Sequence, residues 1–180
     1  MIGKHIGKFL LDSGDPLVIS ADKVASVRTE NNLLHALTLL SSLGYSSVPV
    51  LDMEGRYKGQ ITLALIISGI KAIPTYDWES LQTRQVSEVM DDKPGVVTER
   101  AELEDVLHQL VQNNYVSVVD DKGMFVGIVT RKGLLRRLNR LAHDFETMYD
   151  VRPKDKAAES VDRASTKDRP DNRYTFAWQQ

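Results

Sequence analysis

At 180 residues with 42% hydrophobic content, the chain is long enough to bury a true core, as one domain or as two mutually dependent halves. A net charge of -2 offers no global attraction for nucleic acid or an anionic membrane, and the lack of cysteine excludes disulfides and thiolate metal sites. The longest apolar run, Ile61 to Ile70, carries Thr62, Ser68 and Gly69 and is too short to cross a bilayer. The opening MIGKHIGKFLLD lacks the apolar centre and cleavage site of a signal peptide, so a soluble cytoplasmic protein is expected.

In chain order, residues 1–16 read as an N-terminal helical segment, and VASV leads into a helix carrying Leu33, Leu34, Leu37 and Leu40 on one face. SSVPVLD and GQIT, joined by the turn DMEG, predict a hairpin, and LALIISGI a second helix. A linker is expected over 77–85. The order then recurs: GVV, a helix on Leu103, Val106, Leu107 and Leu110, a hairpin VSVVD–DDKG–GIVT, and a last helix GLLRRLNRL. Val27 to Tyr45 lies over Val97 to Tyr115 at an offset of 70, which makes the two tyrosines equivalent; the match then resumes at an offset of 68. There Asp52 meets Asp120, Gly59 meets Gly127, and Thr62 meets Thr130. From 144 to 180 the chain mixes charges with few large apolar residues and is expected to be a flexible tail, with YTFAW at its end as a frayed terminus or docking segment.

This order and spacing resemble a tandem pair of CBS motifs, over roughly Lys4 to His143. The resemblance implies an α/β (α+β) fold: two pseudo-symmetric βαββα motifs, at 17–76 and 86–143, packed through their sheets with ligand clefts between them. It also implies a homodimer shaped as a disc. A closer likeness is carried by ADKVASV, NNLLHAL, GYSSVPVLD and VSEVM. Together they resemble the stand-alone CBS-pair proteins that bind cyclic di-AMP, the CbpB/DarB group. That group's usual two arginines after the strand-ending threonine stand here as Arg131 and Lys132, after Thr130.

Many CBS pairs that bind AMP or ATP place an Asp shortly after that threonine to grip both ribose hydroxyls, as a carboxylate accepts two bonds side by side. Here TLAL and TRKG offer no acid. A cyclic 3′,5′-dinucleotide has no free diol and presents two phosphodiesters, which two cations suit better. The likeness maps the rest of the site onto Lys23, Val24, Ala25 and Val27, lining the base, and onto Tyr45, Ser46 and Ser47, reading or covering its edge. Arg131 can also stack on adenine, and backbone amides at a helix start can donate to an anion. The first copy has Leu63 and Ala64 where the second has Arg131 and Lys132, so one nucleotide per chain and two per dimer are expected.

The remaining charges carry no chemistry. Arg136, Arg137 and Arg140 read as a solvated helix face, Tyr115 as packing, and His5, His35, His108 and His143 have neither metal nor triad spacing. The expectation is a non-enzymatic cyclic di-AMP receptor that needs no cofactor and acts on a partner protein. The resemblance points to the enzyme that makes and degrades ppGpp. The alternatives are an AMP, ADP or ATP sensor and a structural adaptor with an empty cleft.

Overall fold

A computed structural model describes residues 4–11, 15–72 and 75–148. The chain forms α1 (Lys4–Leu11), β1 (Ile19–Ser20), a 3-10 turn (Ala21–Lys23), β2 (Val27–Arg28), α2 (Leu33–Leu43), β3 (Ser47–Leu51), β4 (Tyr57–Thr62) and α3 (Leu63–Gly69). A small hairpin of β5 (Lys71–Ala72) and β6 (Thr75–Tyr76) follows, then α4 (Ser80–Thr83) and a second 3-10 turn (Val86–Glu88). The second copy supplies β7 (Val96–Thr98), α5 (Leu103–Gln112), β8 (Tyr115–Val119), β9 (Phe125–Thr130) and α6 (Arg131–Met148).

The expected α/β halves are present, each with its own core. One gathers Val27, Leu33, Leu40, Val50, Ile61 and Ile66; the other gathers Val97, Val106, Leu110, Val116, Val129 and Leu134. In each half a parallel strand pair and an antiparallel hairpin form the sheet: β2-β3-β4 in the first, β9-β8-β7 in the second. Both hairpins turn at an Asp whose side chain accepts from the backbone four residues on. Asp52 accepts the Arg56 amide at 2.8 Å, and Asp120 accepts the Met124 amide at 2.8 Å.

The halves are laced together by strands the sequence did not reveal. β1 opens the first motif yet pairs antiparallel with β9 of the second, Ile19 opposite Ile128 and Ser20 opposite Gly127. Asp91, near the start of the second motif, pairs with Gln60 of β4, with N–H···O bonds of 2.9 Å in both directions. This exchange explains the repeated glycines. A Cβ on Gly127 would strike the Ile19 carbonyl, and one on Gly59 the Asp91 carbonyl. The hairpin turns also meet: the Tyr57 amide donates to the Gly123 carbonyl at 3.0 Å, the Phe125 amide to the Gly55 carbonyl at 3.1 Å, and the Tyr57 and Phe125 rings stack at 6.1 Å.

Four sequence expectations change. Tyr45 and Tyr115 are not equivalent: Tyr115 pairs with Thr130 as Ser47 pairs with Thr62, so the two-residue gap falls before the strand and Tyr115 is the counterpart of Ser47. The linker over 77–85 is docked, with Leu81 buried in the first core and the Arg84 carbonyl accepting from the Leu33 amide at 3.0 Å. Helix α6 continues past Asp144 to Met148; residues 149–180, with YTFAW, lie outside the described residues. Arg137 is not solvated. It is 8% exposed, and its guanidinium donates to the carbonyls of Leu10, Leu11 and Asp15, pinning α1 to α6.

Candidate functional site

Helix α6 starts where β9 ends because Thr130 changes role there. Its backbone closes the strand opposite Tyr115, and its hydroxyl accepts the Gly133 amide at 3.0 Å, as an N-cap does. Thr62 does the same for α3, accepting from Leu65 at 3.0 Å. The first two residues of α6 are therefore Arg131 and Lys132, lifted clear of the sheet end.

The two cations are held differently. Lys132 is exposed and makes no side-chain hydrogen bond or ion pair among the described residues, which leaves its charge for an incoming anion. Arg131 is half-buried. Its Nε donates to the Leu110 carbonyl at 2.8 Å and its Nη2 to the Val111 carbonyl at 3.3 Å, both at the end of α5. The Arg131 backbone amide is also committed, donating to the Asn114 carbonyl at 2.8 Å, so it is not an anion donor here.

Asn114 links this corner to the first half. Its Nδ2 donates to Ser46 Oγ at 3.5 Å, and the Ser46 carbonyl accepts the Leu63 amide at 3.4 Å. Ser46 and Arg131 are thus joined through one residue that the sequence reading passed over. The adjacent polar pair Asn113–Asn114, directly before a strand, was the available signal. Tyr45 precedes Ser46, follows the left-handed Gly44 that ends α2, and is 50% exposed. Its ring is free to cover a flat ligand.

Under this loop lies a polar cluster between the sheets: Ser47, Tyr57, Tyr115 and Ser117. Burial pushes the Tyr57 phenol up to about 12, with Ser117 opposing. Burial likewise raises the Tyr115 phenol, the Tyr57 phenol adding and Ser47 opposing. Among the described residues, the Tyr115 hydroxyl and Ser117 Oγ are buried without a hydrogen bond of ordinary geometry. Tyr115 therefore packs, as expected, but it packs against Ser47, one of the residues assigned to the site.

The residues expected on the opposite wall lie on one segment, from the 3-10 turn into β2. Lys23 ends the 3-10 turn that follows β1 and is exposed, Val24 is its half-buried C-cap, and Ala25 is half-buried against the first core. Val27 is 2% exposed and belongs to the core, paired with Val50; its side chain supports the wall rather than lining it. Asn114 joins Ser46 to Arg131 by hydrogen bonds, and Thr130 and Lys132 flank Arg131 in the chain. Lys23, Val24 and Ala25 share the segment that passes from the second sheet back to the first.

This architecture, two laced βαββα halves each ending a strand at a capping threonine, defines a CBS pair. The family model described as CBS domain matches residues 18–72 and 86–140, and the chain belongs to the CBS-domain family. The chain is similar to Cyclic di-AMP receptor B of Bacillus subtilis (strain 168), 37% identical over 145 residues, which cover 78% of this chain and 95% of that one. Among solved structures, CbpB from Streptococcus agalactiae is 34% identical, with a TM-score of 0.76 over 85% of this chain and 96% of that one. Listeria monocytogenes CbpB, solved in complex with c-di-AMP, is 40% identical, with a TM-score of 0.66 over 70% of this chain and 94% of that one.

No helix among the described residues is long and apolar enough to cross a membrane. No group of three or more His, Asp or Glu among them is placed to hold a metal.

Proposed function

We propose that this protein is a receptor for cyclic di-AMP. The observation that carries the reading is the acid-free start of α6, where Thr130 is followed by Arg131 and Lys132. A carboxylate there would suit a free ribose diol; a cation pair suits phosphodiesters. In the proposed complex Lys132 meets a phosphate as a point charge, and Arg131 contributes charge and a flat face. Lys23, Val24 and Ala25 border one base, while Tyr45, Ser46 and Ser47 read or cover its edge. Relatives named for cyclic di-AMP support the choice of ligand.

The cleft related by pseudo-symmetry has Leu63 and Ala64 in place of the cations. Gly95, the counterpart of Ala25, has Gln109 and Asn113 against it, so side chains already occupy that space. One dinucleotide per chain follows. The chain is proposed to act in the cytoplasm as a non-enzymatic homodimer. Its ligand favours one arrangement of the surface, and a partner protein binds only one of the two forms. The enzyme that makes and degrades ppGpp is the proposed partner by likeness to the family.

Calorimetric titration of the purified protein with cyclic di-AMP, AMP, ATP and cyclic di-GMP tests the reading. Heat from cyclic di-AMP alone, near one per chain, is the expected result. Preference for AMP or ATP would replace the reading with an energy-charge sensor, and silence with all four would favour an adaptor.

A further inference from the structure

Arg131 offers five N–H donors, and among the described residues two are used: Nε on the Leu110 carbonyl at 2.8 Å and Nη2 on the Val111 carbonyl at 3.3 Å. These acceptors lie in the last turn of α5, where helical carbonyls have no partner from their own helix. With the backbone amide on the Asn114 carbonyl at 2.8 Å, one residue of α6 holds the last turn of α5 at two points and the link to β8 at a third. The guanidinium edge formed by Nη1 and the second Nη2 proton is uncommitted among the described residues.

The repeat shows why α5 needs this grip. Its counterpart α2 closes on Gly44 in the left-handed conformation, with the Tyr45 amide returning to the Leu40 carbonyl at 3.0 Å. At the end of α5 stands Asn113, in an extended conformation, and the last turn has no basic residue of its own. Arg131 supplies the cation that a helix C-terminus favours. Position 63, the counterpart of 131, is a leucine and can do nothing of the kind.

We infer that Arg131 is a two-edged bridge that ties occupancy of the cleft to the last turn of α5. One edge stays on the helix carbonyls while the other meets a phosphodiester, so the bound dinucleotide holds the arginine, and the arginine holds the helix end. The 70% exposed Val111 carries that ordering to the surface. The inference rests on the cyclic di-AMP reading and adds to it a reporting route and a difference between the two cations. Position 131 requires a planar fork with two usable edges, whereas Lys132 serves as a point charge that arginine can replace.

The test is amide hydrogen exchange of the full chain with and without saturating cyclic di-AMP, with calorimetry on the same samples, for wild type, Arg131→Lys and Lys132→Arg. In wild type the ligand slows exchange over residues 110–114 at least tenfold. Arg131→Lys exchanges faster there without ligand and shows no slowing at a concentration that calorimetry proves saturating; Lys132→Arg, whatever its affinity, keeps the slowing once calorimetry shows it saturated. Wild-type binding without slowing at 110–114 overturns this inference and leaves the receptor reading standing, as does slowing that survives in Arg131→Lys. No binding heat from wild type overturns both. The wild-type comparison stands whether or not a variant folds.

Discussion

Replacing Arg137 by methionine removes the donors that pin α1 while keeping most of the side chain's apolar length. The Leu10 carbonyl is buried, and stranding it costs about 1–3 kcal/mol; the part-buried bonds to Leu11 and Asp15 contribute about 0.5–1.5 kcal/mol each. Burial lowers the pKa of Arg137, with Asp15 opposing, so removing the charge recovers some desolvation. An upper bound exists because α1 can instead detach. It then gives up the burial of Phe9 and Leu10, about 1.5–3 kcal/mol each, and the Arg140 contact over the Phe9 ring. The expected loss is therefore about 2–4 kcal/mol. Urea denaturation measures it, with Arg136→Met as the exposed control, which should stay within about 0.5 kcal/mol of wild type. Amide exchange over Lys4–Leu11 should rise in Arg137→Met alone. A stability within 0.5 kcal/mol of wild type, with α1 equally protected, would refute the reasoning.

Three further outcomes are expected. Gly127→Ala drives a Cβ into the Ile19 carbonyl and should cost about 1–3 kcal/mol by chemical denaturation, with faster exchange at β1; no loss would mean that the crossing strand moves aside freely. Tyr57 has a folded-state pKa of about 12, above the ordinary 10.0, so the unfolded chain gives up this proton first and stability falls as pH rises from 10 towards 12. Stability curves should show that alkaline loss reduced by up to about 3 kcal/mol in Tyr57→Phe, and identical slopes would refute it. Ala25→Leu should abolish the calorimetric signal with cyclic di-AMP while leaving the circular dichroism spectrum unchanged; normal binding would move the base elsewhere.

The two halves were legible because local signals repeat: leucines at helical spacing, Asp and Gly at each hairpin turn, and a threonine before each closing helix. What escaped depends on partners distant in sequence. Arg137 sits on the polar face of α6, and only the return of α1 makes that face an interior. Tyr115 was matched to Tyr45 by identity, whereas the ladder with Thr130 sets its register. The candidate site was legible in its charge, through Arg131 and Lys132, and in the loop at Tyr45 and Ser46, which the structure leaves exposed. Val27 looked like its neighbours Val24 and Ala25, but strand pairing turns it into the core. The engagement of Arg131 with α5 left no trace in local sequence, since its acceptors are main-chain carbonyls.

The crossing of β1 onto β9 sets a timetable for a chain made from its N-terminus. Ile19 leaves the ribosome early, yet its partner Ile128 comes about a hundred residues later, ~5–20 s at ordinary rates of synthesis. The first core can gather in that interval, because Gln60 and Asp91 are near in sequence, but the second sheet lacks its outer strand until β9 arrives. β1 has only two residues, both exposed, so little apolar strand surface is offered to other chains during the wait. Its brevity suits a strand that must remain unpaired longest.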